Sequence, residues 1–151
     1  IFKAQLAFNL LSQVNPMDKQ GFSATERQIL RETREVMDDP DFPLSLSLVQ
    51  VPVFHAYSLM LYLELEQDLT MTKLEEGLRA SSHIKICSTT RSSPVSAVSA
   101  AGQEKIYVGQ LKQDKNRPHA FWIWAAADNL TLGSALNGYE IARAVAAEFF
   151  S

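Results

Sequence analysis

Few groups in this chain could do chemistry, and they are thinly spread. The run Gln50-Val51-Pro52-Val53-Phe54-His55-Ala56-Tyr57-Ser58 places an imidazole and a phenol on alternate residues. On a strand, His55 and Tyr57 would share a face at an offset of roughly 6 to 7 Å. An imidazole titrates near pH 6.5 and a phenol near 10, so Tyr57 is a poorer base at neutral pH by about three units. The offset of His55 exceeds what catalytic geometry tolerates, so it reads as a packed strand residue. The single cysteine, Cys87, sits in a strand pattern with no Gly-rich turn or helix start beside it. That is the setting of a small buried or half-buried residue, not of an activated thiolate. His83 and His119 have no ligand-like spacing to Asp, Glu or Cys, so no metal site is expected. Asp128-Asn129 combines an acceptor and an amide. The pair also suits a simple turn into a helix, with Asp or Ser as the cap.

These groups need elements to carry them. Phe2, Leu6, Ala7, Leu10 and Leu11 recur at helical spacing and stop before Asn15-Pro16, which predicts an opening helix. Ser23-Ala24-Thr25-Glu26 forms a capping-box pattern, and the helix it starts carries Ile29, Leu30, Val36 and Met37 before Asp38-Asp39-Pro40 ends it. The period then falls to two. Leu44, Leu46 and Leu48 alternate with serines, and the odd-numbered leucines from Leu59 to Leu65 alternate with Met60, Tyr62 and Glu64. Both stretches predict strands with one buried face. A short helix capped by Thr70 or Thr72, a strand over 83–88, a long loop over 89–102 and strands over 106–111 and 120–127 follow. In the last strand Trp122 and Trp124 share one face and Phe121 and Ile123 the other, so both faces are expected to be covered. A final helix from Ser134 to about Phe150 carries Ala135, Tyr139, Ala142, Ala146 and Phe149 as its apolar stripe. The order of elements predicts an α+β fold, a mostly antiparallel sheet with helices packed on one face.

A chain of 151 residues, 46% hydrophobic, can bury enough surface for one core, and one domain over 1–151 is the expectation. It enters an amphipathic segment at Ile1 without a Met, as a fragment of a longer chain would. Net charge is −3 with Lys and Arg scattered, which argues against nucleic acid as a partner. The apolar run ending at Ala127 is far short of the roughly 20 residues that span a bilayer, so no membrane partner is expected and the setting is read as cytoplasmic.

The run from Gln50 resembles the pattern R-x-P-V-x-x-G-H-S of the aspartate-semialdehyde dehydrogenase family. The likeness continues through Ser93-Pro94-Val95, Ala100-Ala101-Gly102 and Val108-Gly109. It ends in Trp124-Ala125-Ala126-Ala127-Asp128-Asn129-Leu130 with Gly133-Ser134-Ala135-Leu136-Asn137, similar to the family's W-x-x-x-D-N-L-x-x-G-A-A-L-N. The ordered set covers nearly the whole chain. It implies the C-terminal dimerisation domain of that family, like glyceraldehyde-3-phosphate dehydrogenase in fold, with the nucleotide-binding domain outside this sequence. In such enzymes a cysteine thiolate attacks the aldehyde, hydride leaves to NADP and phosphate releases the acyl group; in amino-acid biosynthesis the reaction runs in the opposite sense, reducing aspartyl phosphate.

The resemblance also marks losses. Gln50 stands where the family has an Arg that grips the substrate carboxylate, and a neutral amide cannot balance that charge. Tyr57 stands at the general-base His. Gln28 stands at a Lys that meets substrate or phosphate, Thr25 at a usual Glu, and Gln110 and Thr131 at two further arginines. No catalytic position of the three at Gln28, Gln50 and Tyr57 is intact. Asn129 matches the place whose amide faces the nicotinamide side of the cofactor, and Gly133 the place that permits close backbone approach. The resemblance therefore implies a catalytically degenerate member, similar to the family's Usg type, forming a homodimer or a mixed dimer with an active paralogue. NADP would belong to the parent, and none is expected on this fragment. The alternative is an active NADP-dependent dehydrogenase for aspartate semialdehyde or a related aldehyde.

Overall fold

The computed structural model describes residues 4–12, 16–87 and 94–150. The expected start of the opening helix, its stop at Asn15, the end of the 83–88 strand and the loop through Ser93 lie outside the described residues. The chain forms two compact units, residues 1–52 and 53–151.

In the first unit, helix α1 spans Ala24–Val36. Ser23 Oγ accepts the Glu26 N–H at 3.2 Å, while the Glu26 carboxylate accepts the Ser23 N–H at 2.8 Å, closing the capping box that the sequence predicts. Glu26 also accepts the Leu48 N–H at 3.0 Å, which ties the helix start to the extended 44–50 stretch. The N–H groups of Ser23 and then Leu48 hold this buried carboxyl below its ordinary range. Leu44, Leu46 and Leu48 are half-buried between exposed serines, so the predicted alternation is present. The predicted strand is not, since no ladder forms along 44–48 among the described residues.

The opening helix is a correction. Residues 4–12 hold a turn in which Asn9 N–H reaches Leu6 O at 2.9 Å and Phe8 takes φ +58°. Leu11 then exchanges both backbone hydrogen bonds with Gln50, at 3.0 and 2.8 Å. Apolar spacing alone favoured a helix, but the Leu11 N–H and C=O groups are committed across the chain instead of along it.

The second unit is a four-stranded sheet in the order β1-β4-β3-β2, built from β1 (Tyr57–Glu64), β2 (Ile84–Ile86), β3 (Ile106–Gln113) and β4 (Ala120–Ala127). The β1–β4 and β3–β4 pairs are antiparallel and β2–β3 is parallel. Helix α2 (Met71–Arg79), capped by Thr70, brings Leu74 and Leu78 onto one sheet face. That face contributes Leu63, Val108, Phe121, Ile123 and Ala125 to the larger core. On the opposite face, the one-turn helix α3 (Ala97–Ala100) and Val95 pack on Ala126, Tyr107 and Trp124. This short helix interrupts the predicted loop, and Ser96 caps it in the same reciprocal manner as Ser23 caps α1.

Three burial expectations change. Leu59 and Leu61 are exposed, because β1 is the sheet edge and α2 lies over the centre. The Trp face of β4 is covered only in part: Trp124 is half-buried and donates its indole N–H to Val95 O at 2.8 Å, but Trp122 remains 38% exposed. The final helix is reached through a π-helical turn, Thr131–Leu136, before α4 (Asn137–Phe150). Its stripe residues Ala135, Tyr139, Ala142, Ala146 and Phe149 are exposed, not buried.

Candidate functional site

The predicted site residues divide between the two units. Gln28 lies on the exposed side of α1 and donates to Glu32 Oε1 at 2.7 Å, one turn away on the same helix. Gln50 is half-buried; its backbone pairs with Leu11 and its side-chain amide donates to Val51 O at 3.3 Å. Both amides are spent on local partners. Tyr57 opens β1 opposite Ala127 and is 64% exposed.

The structure brings Asn129 to the doorstep of Tyr57. Asn129 Oδ1 accepts the N–H of Ala56 at 2.8 Å. Ala56 is buried and has φ +73°, in the left-handed region where a Cβ is unfavourable. In the motif R-x-P-V-x-x-G-H-S the glycine falls at Ala56. Its importance was visible in the pattern but not in any chemical group. The left-handed residue also ends the strand parity assumed for His55, which is exposed in a bend before β1 and is not a packed strand residue.

Asp128 is buried and fully engaged. Its carboxylate accepts the N–H groups of Gly102, Leu130 and Thr131, the last two at 2.7 and 2.8 Å. These donors, Gly102 and Thr131 foremost, hold its carboxyl far below the usual carboxylate range. It thus caps the turn leading into the π-helix and pins the loop after α3. Gly133 is exposed, and a Cβ built there would meet nothing within 4 Å. Thr131 gives its hydroxyl to Gln103 O at 3.1 Å, and Gln110 sits at φ +51° in a bulge of β3. Cys87 is half-buried just past β2. Among the described residues no three His, Cys, Asp or Glu side chains gather as a metal site, and His83 and His119 pair with Glu140 and Asp68, both at 3.8 Å. No described helix is long and apolar enough to cross a membrane.

A second feature lies on the sheet face that α2 does not cover. Met60, Tyr62 and Trp122 are 51%, 38% and 38% exposed. Tyr62 faces Trp122 in the ladder, with ring centroids 4.6 Å apart. Glu64 and Arg117 form an ion pair at the rim. Desolvation, and then the negative charge of Asp114, raises the Tyr62 phenol above its ordinary value. The surface has the make-up of an interface: aromatic residues, Met and Arg at its centre and edge.

Comparison with known proteins agrees with this architecture. Residues 1–132 match the family described as semialdehyde dehydrogenase, dimerisation domain, and the chain belongs to that family. An aspartate-semialdehyde dehydrogenase of Shewanella violacea is 27% identical over 150 residues, covering 99% of this chain and 44% of the relative. A protein of Pseudomonas aeruginosa named a USG-1 protein homolog is 32% identical over 137 residues, covering 91% of this chain and 40% of the relative. The solved structure of a probable aspartate-semialdehyde dehydrogenase from Pseudomonas aeruginosa superimposes with a TM-score of 0.89 at 29% identity, covering 99% of this chain and 44% of that one. The chain spans less than half the length of these proteins.

Proposed function

We propose that this chain is the dimerisation module of a semialdehyde-dehydrogenase-like protein whose catalytic positions have lost their chemistry. The observation that carries the proposal is the half-exposed face of Met60, Tyr62 and Trp122, which the described residues of the 53–151 unit leave partly open. A second copy related by a twofold axis would bury it, since one face carries both a cation, Arg117, and carboxylates, Glu64 and Asp114. Gln28, Gln50 and Tyr57 replace a Lys, an Arg and a His of the family pattern, so the groups that grip an anionic substrate and move its proton are gone. The silent, Usg-like member is the consequence, acting as a homodimer or joined to an active paralogue in the cytoplasm.

NADP would be met on this chain's side by Asn129 and Gly133. With Oδ1 given to Ala56, the amide NH2 is the Asn129 group left to donate, and the open space at Gly133 allows close approach, so both fit. When bound, NADP supplies a hydride acceptor. A second function is supported by the exposure of Tyr57 at the strand entrance: an active dehydrogenase for an uncharged aldehyde, for which lost cations are no handicap. It requires a nucleophilic cysteine elsewhere in the protein.

The test is phosphate-dependent NADP reduction by the whole protein, with aspartate semialdehyde and then uncharged aldehydes, beside its mass by sedimentation. A dimer without turnover supports the silent module. Turnover with an uncharged aldehyde supports the second function, and a monomer at micromolar concentration refutes the dimer face.

A further inference from the structure

We infer that Asn129 is a positioning residue whose side-chain oxygen latches the backbone of Ala56 and thereby fixes where residue 57 points. The latch goes beyond the choice between silent and active protein, because it concerns the frame and not the side chain held in it. A backbone N–H can only donate, so the group facing Ala56 must be the amide oxygen, and the orientation of the Asn129 side chain is settled by that contact. The last ladder pair of the sheet here is Tyr57 with Ala127. One residue beyond it, the chain leaves the β region, with Ala56 at φ +73°, and no backbone partner continues the ladder. Asn129 reaches back and supplies the missing acceptor at 2.8 Å. Its own position is fixed by the neighbouring Asp128, whose carboxylate collects three backbone N–H groups.

A left-handed residue with a Cβ relaxes toward extended backbone when nothing holds it. Rotation at Ala56, with opening of the terminal Tyr57–Ala127 pair, would carry the Tyr57 side chain away from its present direction while the rest of β1 stayed paired. The oxygen of Asn129 thus has a task distinct from that of its NH2 group, and the two can be separated by substitution. Asn129→Asp keeps an acceptor and loses the donor; Asn129→Ala loses both. Ala56→Gly makes the left-handed conformation inexpensive, so it should remove the need for the latch.

The experiment is amide hydrogen exchange and aromatic NMR on the intact protein. In Asn129→Ala, protection of the Ala56 amide should fall by about tenfold or more, and the Tyr57 ring resonances should move while the Trp122 indole resonance stays in place. Asn129→Asp should keep protection within about threefold of the parent. Adding Ala56→Gly to Asn129→Ala should return the Tyr57 resonances toward their original positions, a rescue that a purely global stabilising role would not give. Unchanged Ala56 protection in Asn129→Ala, or equal damage from Asn129→Asp, overturns the latch. If Asn129→Ala does not fold, the double substitution decides: a folded protein with native Tyr57 resonances supports the latch, and failure to restore them overturns it.

Discussion

Replacing Trp122 with Ala should separate the proposed dimer without unfolding the sheet. Trp122 is 38% exposed, so its inner edge packs in the sheet while the rest faces outward beside Tyr62 and Met60. A Trp side chain offers on the order of 250 Å², so the exposed share is roughly 95 Å², and its burial at about 25 cal/mol per Å² contributes about 2.4 kcal/mol. A twofold axis counts the residue twice, giving about 5 kcal/mol and a dissociation constant raised by about three orders of magnitude. Sedimentation equilibrium across a concentration series measures this directly. Far-ultraviolet circular dichroism checks that the strand remains, because Phe121 and Ile123 on the other face keep β4 anchored to α2. Val36→Ser removes an apolar side chain that is 85% exposed on α1 and serves as the control, with no effect on assembly. A Trp122→Ala protein that dimerises within about threefold of the parent refutes the assignment of this face, since the change would lie below about 1 kcal/mol.

Other consequences can be measured independently. At Gly109 an added Cβ would stand 2.9 Å from Val95 Cγ2, so Gly109→Ala should cost about 1–3 kcal/mol in urea unfolding, with most of the loss recovered by adding Val95→Ala; an unchanged midpoint would show that Val95 is free to move. Asp128 has a depressed folded-state pKa, so its contribution is present above the unfolded value near 4 and is lost as pH falls through the folded value. Asp128→Asn should therefore be less stable than the parent at neutral pH, with the gap narrowing on acidification, and a constant gap would show that the charge is immaterial. On the proposed silent reading, Tyr57→His introduces an imidazole but leaves Gln50 and Gln28 without charge, so it should not by itself give turnover of aspartate semialdehyde; turnover from that single change would show that cations at those two places are dispensable.

The elements that sequence made legible are those whose signal is local. The capping box at Ser23 and Glu26 is a four-residue pattern and appears as read, with both of its reciprocal hydrogen bonds formed. The strand alternation from Leu59, the strands from 106 and 120 and the helix after Thr70 were equally plain from periodicity and cap chemistry, whereas the start of β1 at Tyr57 was not, since strand parity alone extends back to His55. The opening helix failed because a helical apolar period says nothing about where backbone groups find partners, and Leu11 found Gln50 thirty-nine residues away. Burial was harder still. Period two identified the two faces of β1, but whether Leu59 and Leu61 are covered depends on where α2 lands, which no alternation encodes. At the site, the family resemblance led to Tyr57 and Asn129, whereas Ala56 offers no functional group and matters only through its φ and its N–H.

On the proposed reading, the period of two in β1 separates the position of the family's base from the proposed assembly surface. Tyr57, Leu59, Leu61 and Leu63 share one face of the strand, and Met60 and Tyr62 belong to the other, alongside Trp122 and Trp124. A substitution at position 57 therefore changes the face that carried the family's base and leaves the aromatic face untouched. The two proposed roles sit three residues apart, at Tyr57 and Met60, and are kept on separate faces by register. A slip of one residue in the pairing of β1 with β4 would exchange the faces, turning Leu59 and Leu61 to the aromatic side. The contact between Asn129 and Ala56 lies at the end of that ladder, where slippage would begin, so one side-chain hydrogen bond would guard the direction of residue 57 and the phase of the proposed assembly face together.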